Sequence, residues 1–325
     1  MESKLITFII PCYNAEKTID RCINSIINQS VEISSLQIII VDDASTDTTR
    51  EKVREWANKT SCIELICCGE RGLQGKARNI GLARARGDYI GFIDADDWIE
   101  PNTYEELSSV IMASQADMIN YLYSTEDEKY NQPPYEKEGL IWIFSSAERE
   151  HYFSTVGANR CCWNKLIRRE LVEQLKLRFA EGVFDEESLF LTPAFIAARN
   201  FYNINKPLYH YCLAEGGSTS QTVNSALHKY DNELTWLQTY DKLVSLNAIA
   251  LDRTLIEFFF VINYFFYSII LAGRRGVPYR EAELDRLKIG VKERFPDYEK
   301  NKMLINSGYD LSWIKRDTKM ECAED

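Results

Sequence analysis

The residues best placed to do chemistry in this chain are carboxylates. Asp42-Asp43 follows directly on Ile38-Ile39-Ile40-Val41, and Asp94-Ala95-Asp96-Asp97 follows Ile90-Gly91-Phe92-Ile93. An acid behind an apolar run is costly to bury unpaired, so it must reach solvent, a cation or a hydrogen-bonding ligand. In the second group, alternation lets Asp94 and Asp96 lie on one side of an extended chain. There two hard oxygen ligands suit Mg2+ or Mn2+ and repel each other without one. Phosphate and water would complete such a shell. The plainer readings are a helix N-cap for the first group, since Ser45, Thr46 and Asp47 precede a helical stretch, and an acidic turn ahead of Pro101 for the second. One cap needs one residue, and five are present. With only His151, His210 and His228, histidine triads and histidine-rich metal sites are poorly supplied.

Strands must present these acids. Leu5 to Ile10, Leu36 to Val41, Ile63 to Cys67, Asp88 to Ile93 and Asp117 to Leu122 read as five strands, and Ala15 to Gln29, Thr48 to Asn58, Gln74 to Arg86 and Thr103 to Ser114 as the helices between them. Strands alternating with helices imply an α/β fold with a mostly parallel central sheet flanked by helices. In such sheets ligands bind at the carboxyl ends of the strands, where Pro11, Tyr13 and Asn14, the Asp42 pair and the Asp94 group all stand. Charge, Tyr and Pro133-Pro134 mark an excursion from Ser124 to Gly139, and beyond Thr222 the pattern becomes helical, near 226 to 246, 249 to 272 and 278 to 293. The expected organisation is therefore 1–222, with halves at about 1–123 and 140–222, followed by a helical region at 223–325. Phe258 to Ala272 is apolar nearly all round, and its fifteen residues fall short of the about 20 that span a bilayer. It reads as a buried helix, with Arg274-Arg275 keeping an interfacial membrane role open.

The totals exclude several classes. A chain of 325 residues, 45% apolar, can bury a large core, and a net charge of −11 argues against nucleic acid as a partner. The six-residue apolar run before Pro11 is too short for a signal peptide, so a cytoplasmic protein is expected. Nine cysteines without C-x-x-C spacing fit reduced thiols.

Taken in order, the segments FIIPCYNAEKTIDRCINSIINQS, IIIVDDASTDTT, GKARNIGLARARGDYIGFIDADDWIEP, WNKLIRREL, EGVFDEESLF and KPLYHYCLAEGGSTS resemble glycosyltransferase family 2, which has the GT-A fold. The resemblance runs from about Ile6 to Ser220. It implies an inverting, metal-dependent transfer of a sugar from a nucleotide-diphospho-sugar to a saccharide or lipid-linked hydroxyl, in the synthesis of cell-surface polysaccharide. By that resemblance Pro11, Tyr13, Glu16 and Asp43, with Asp42 close by, hold the nucleoside. An Asp accepting from a base imide makes UDP the first choice. Lys76 or Arg78 lies near the donor phosphates, Asp94 and Ala95 line the donor, and Asp96 is the direct metal ligand. Laying Gly182 and Phe190 on the family pattern puts Glu186 and Glu187 at an acidic pair usually written Glu-Asp, with Glu187 as the base. The run Asp185-Glu186-Glu187 leaves the register open, and an acidic N-terminus for a helix beginning near Ser188 accounts for it equally. Trp163 and Lys165 match a motif beside the acceptor cleft, core packing explaining Trp163 as well. Ser218-Thr219-Ser220 reads as a loop that orders on donor binding. A non-catalytic nucleotide-sugar-binding protein is the alternative of another class. A sugar-phosphate nucleotidyltransferase would need a Gly-rich loop where Pro11-Cys12-Tyr13-Asn14 stands. The helical region could dock on the inner face of a membrane, on a second copy, or on the catalytic domain.

Overall fold

The computed structural model describes residues 4–156, 161–213 and 226–315. The chain divides into two units, Met1–Gly217 and Ser218–Asp325. The boundary expected at 222 and the segment Ser218-Thr219-Ser220 lie outside the described residues.

In the first unit the β-branched runs form strands β1 (Lys4–Cys12), β2 (Leu36–Asp42), β3 (Ile63–Cys67) and β4 (Gly87–Phe92), alternating with helices α1 (Ile19–Ile27), α2 (Thr49–Lys59) and α3 (Leu73–Leu82). All seven residues of β2 are buried, as a strand covered on both faces must be. Alternation divides the labour in β1. Ile6, Phe8 and Ile10 share a core with Cys22, Ile23 and Ile26 of α1, while Ile9 on the other face packs so closely on Gly81 of α3 that a Cβ there would lie 2.4 Å from Ile9 Cγ2.

Beyond β4 come β5 (Trp98–Ile99), α4 (Thr103–Ser114), β6 (Met118–Ser124), β7 (Gly139–Trp142), α5 (Ser146–Val156), β8 (Lys165–Arg168), α6 (Arg169–Gln174), α7 (Glu187–Ala197) and β9 (Asn200–His210). The sheet has nine strands in the order β3-β2-β1-β4-β8-β6-β9-β5, with β7 also on β9. Its first four strands are parallel, as expected. The remainder is mixed, because β8 inserts antiparallel to both β4 and β6. Two ends of the sheet result. One carries the residues after β1, β2 and β4; the other carries Arg168, which pairs with Tyr89, and Asn200, which pairs with Trp142.

The second unit is helical. Its main helices are Asp231–Ser245, Glu281–Arg294 and the continuous stretch Arg253–Arg274, within which Val261–Tyr267 is π-helical. The helix expected near 249 to 272 thus forms, and at 22 residues, with mean hydropathy 2.0 over an eighteen-residue window, it is long and apolar enough to cross a membrane, where the fifteen-residue apolar run alone fell short. Of that window 67% is buried in the protein, as in a core helix. Asn232 Nδ2 donates to the Asn263 carbonyl (2.7 Å) and to Ser268 Oγ (2.8 Å), so the polar residues interrupting the apolar run are hydrogen-bonded inside.

A Cβ on Gly75 of α3 would sit 1.9 Å from the Ala180 carbonyl oxygen. Gly75→Ala is therefore expected to destabilise the first unit by about 1–3 kcal/mol, read as a lowered urea midpoint with unchanged slope.

Candidate active site

The β1 and β2 ends are fastened to each other by the polar residues that follow them. Asn14, in left-handed backbone (φ 49°), accepts the Thr46 N–H through Oδ1 (2.8 Å), and its own N–H reaches Ser45 Oγ (3.0 Å). Glu16 accepts from the Thr48 hydroxyl (2.8 Å) and N–H (3.2 Å), so it helps close the first turn of α2. Asp47, one residue before the N-cap Thr48, takes the Thr49 N–H at 3.0 Å. Asp42 and Asp43 are thereby released for other partners. Asp42, fully buried, receives both Nε and Nη2 of Arg50 (2.9 and 2.6 Å) on one oxygen, while its other oxygen is buried without a hydrogen bond. Asp43 accepts the N–H groups of Gly72 and Leu73 (both 2.8 Å) at the start of α3, which makes it a cap supplied from 30 residues away. Burial pushes its carboxyl up and those two donors pull it down. Pro11 is buried in β1 beside Val41, and the Tyr13 ring lies 4.0 Å under the Arg71 guanidinium.

Helix α3 grips the segment Phe179–Glu186 along its length. Asn79 exchanges hydrogen bonds with Phe179 (3.0 and 2.9 Å), Gly75 meets Ala180, and Arg78 reaches Glu186 through Nη1 and Asp94 Oδ1 through Nη2 (2.8 Å). Arg78 is 1% exposed. Burial works against its charge, but Asp94 and Glu186 hold the guanidinium well above its ordinary value. Burial pushes Glu186 up, with Arg78 opposing. Of the two cations expected near the donor, Arg78 is thus committed to two carboxylates, and the half-exposed Lys76 pairs with Glu70 at 3.2 Å.

At the β4 end the acids are crowded. Burial first, then Asp94, raises Asp96 to about 6; burial, then Asp94 and Asp96, raises Asp97 to about 8. Asp97 turns inward, accepting the Tyr209 hydroxyl (2.6 Å) and the Cys212 N–H (2.8 Å), while Arg21 spends Nη2 on the Asp96 carbonyl oxygen (2.7 Å). Ala95 is buried between the two candidate ligands. Hard oxygen donors held close enough to repel fit a divalent cation. Among the described residues no group of three or more His, Cys, Asp or Glu side chains could hold one, so phosphate or water oxygens would have to supply the remaining ligands.

On the other side, Glu187 opens α7 half buried, and Cys162 donates its N–H to Glu187 Oε1 (2.8 Å). Trp163 stacks between Tyr209 (4.6 Å) and Tyr211 (5.3 Å). It therefore braces the tyrosine that holds Asp97. Lys165 is buried, its Nζ donating to Asn164 Oδ1 (2.6 Å) and the Cys161 carbonyl (2.9 Å), and loss of hydration lowers it to about 8. The structure thus gathers Arg78, Asp94 and Glu186 directly, and Trp163 with Asp97 through Tyr209. Sequence reasoning missed Arg50, Arg71, Asn79, Tyr209 and Asn164. Asn79, Asn164 and Tyr209 stood inside the segments GKARNIGLARARGDYIGFIDADDWIEP, WNKLIRREL and KPLYHYCLAEGGSTS, where the family resemblance was the signal; Arg50 and Arg71 carried none.

Removing one member of the buried trio strands the others. Arg78→Met is expected to cost about 3–5 kcal/mol in chemical denaturation, and Arg78→Lys, which keeps the charge but cannot reach both acids, less. Lys165 gives a pH signature. Its folded value lies below its unfolded one near 10.5, so unfolding binds protons between about pH 8 and 10.5, and folding stability from this group rises with pH across that window. The stability of the native chain relative to Lys165→Met should therefore improve between pH 7.5 and 10, measured as paired urea midpoints.

The comparisons with known proteins bear on family and fold. The family described as Glycosyl transferase family 2 matches residues 7–176, a little over half of the chain. A protein named Uncharacterized glycosyltransferase EpsJ from Bacillus subtilis (strain 168) is 31% identical over 211 residues, covering 64% of this chain and 60% of that protein. Among solved structures, S. aureus TarS 1-349 in complex with UDP-GlcNAc superposes with TM-score 0.61 at 21% identity, covering 93% of this chain and 91% of that one. The mannosyltransferase PcManGT from Pyrobaculum calidifontis, in complex with GDP-Man and Mn2+, does so with TM-score 0.54 at 17% identity, covering 92% and 83%. At those identities the two structures establish the fold, the GT-A type. With more than half its length matched in sequence and its sheet and helices those of GT-A enzymes, the chain belongs to glycosyltransferase family 2.

Proposed function

We propose that the chain is an inverting, metal-dependent glycosyltransferase that moves a sugar from a nucleotide-diphospho-sugar, a UDP-sugar by first choice, to a hydroxyl of a saccharide or lipid-linked acceptor in cell-surface polysaccharide synthesis. The observation that carries the reading is the Arg78 bridge, which draws the β4 acids and the start of α7 to one place. TarS with UDP-GlcNAc, and PcManGT with GDP-Man and Mn2+, lend support by their shared fold.

In this reading Pro11, Tyr13, Glu16 and Asp43 receive the nucleoside, with Asp42 and Arg50 fixing the loop behind them. Asp94 and Asp96 would hold Mn2+ or Mg2+, whose role when bound is to neutralise the departing diphosphate. The acceptor hydroxyl attacks the anomeric carbon as the bond to the diphosphate oxygen breaks, and a carboxylate takes the hydroxyl proton. Glu187 is the better placed member of its pair. Glu186 is 2% exposed and bound to Arg78, whereas Glu187 is half buried and oriented by the Cys162 N–H. Glu186 then acts as a positioning group. The reading places the protein in the cytoplasm, with the helical unit available for peripheral contact with a membrane or with a second copy.

Calorimetric titration of UDP with and without Mn2+ tests the metal role: Asp96→Ala should abolish the metal-dependent gain in affinity, and an unchanged gain would remove Asp96 from it. With Mn2+ and a panel of UDP-sugars, Glu187→Gln should lower turnover by about 10²–10⁴-fold. Turnover at the native rate would eliminate Glu187 as base.

A further inference from the structure

The first unit carries a concavity of about 630 Å³, within the range of small-ligand sites. It opens at the end of the sheet opposite the acids. Arg168 lies beside Tyr89, and Asp94 is five residues farther along the chain from Tyr89, roughly 17 Å at 3.3 Å per residue. Nothing in the transfer reaction uses this pocket.

Its charges cancel: Arg168 and Arg199 are matched by Asp117 and Glu170, with Gln115 adding an uncharged amide. That balance gives a multiply charged anion no advantage. Donors and acceptors set side by side instead match vicinal sugar hydroxyls, each of which both donates and accepts. Some of this capacity is in reserve at Arg199, whose side chain is 81% exposed and stands 4.0 Å from Asp117, while Arg168 Nε, buried 3.5 Å from Asp117 Oδ1, holds that carboxylate in place from within.

One aromatic side chain lines it: Trp142 is 48% exposed and stacks on Phe144, itself 80% exposed, with ring centres 6.0 Å apart and planes 10° from parallel. Stacking on Phe144 steadies the Trp142 indole as an apolar plate at the pocket, and the C–H face of a pyranose is a surface that covers such a plate while its hydroxyls turn to the polar lining.

We propose that this pocket is a second saccharide-binding site, taking a short stretch of neutral oligosaccharide with one ring on Trp142 and neighbouring hydroxyls on Arg168, Asp117 and Arg199. That the bound sugar is a part of the enzyme's own acceptor or product chain rests on the function proposed above; that the pocket binds sugar does not. Held there, a long acceptor would raise the local concentration of its own ends at the transfer site.

The test titrates the full chain with neutral hexasaccharides (maltohexaose, cellohexaose and the β-1,4-linked N-acetylglucosamine hexamer), following tryptophan fluorescence and saturation-transfer NMR. Saturable binding of at least one is expected, weakened about tenfold or more by Trp142→Ala and by Arg199→Ala, whose exposed side chain carries little folding risk. Asp96→Ala should leave this binding intact. Absence of binding by all three, binding that both pocket variants retain, or binding lost in Asp96→Ala would overturn the proposal. Failure of the transferase reading would instead appear in the UDP and Mn2+ titrations.

Discussion

A guanidinium held between two carboxylates in the dry interior is the constraint around which the first unit is arranged. Arg78 cannot be left alone there, because an unpaired buried charge is far costlier than any loop rearrangement. Its two partners come from separate stretches of chain, Asp94 after β4 and Glu186 before α7. Satisfying it therefore fixes the distance between the strand that ends in acids and the helix that begins with them. The glycine one turn earlier and the asparagine next door serve the same contact, Gly75 by bringing α3 against a backbone carbonyl and Asn79 by exchanging hydrogen bonds with Phe179.

A similar economy governs the β2 end. The first N–H of α2 goes to Asp47, so each of the two preceding aspartates can take another partner, Arg50 for one and the N-terminus of α3 for the other. Asp43 consequently holds the very helix that presents Arg78. The two acidic strand ends are coupled through one rigid element, not through direct contact.

Much of this was legible before any coordinates. The first four strands follow from β-branched runs of the right length, and the acids behind them announce a ligand-binding end, because strand polarity puts ligands there. The second half was less readable for definite reasons. Strand β9 contains Lys206-Pro207 and lacks clean alternation, β5 has two residues, and β8 takes its place between β4 and β6 only through long-range pairing. The site residues were found as types and misjudged as contacts. Arg78 looks like any solvated helix cation in a sequence, since nothing local reports that acids 16 and 108 positions away converge on it.

The seven-residue π-helical stretch inside Arg253–Arg274 has a consequence for the helical unit. Wider turns there throw the two flanking α-helical pieces out of phase, each surplus residue rotating the downstream face by about 100°. Arg253–Phe260 packs on the helix Lys302–Ile305, whereas the π stretch itself meets Asp231–Ser245 and Glu281–Arg294. A single continuous rod thus shows different sides to different neighbours, and no one stripe runs its full length. Its apolar surface works as a pivot inside a bundle, with the phase slip deciding which neighbour each half can hold.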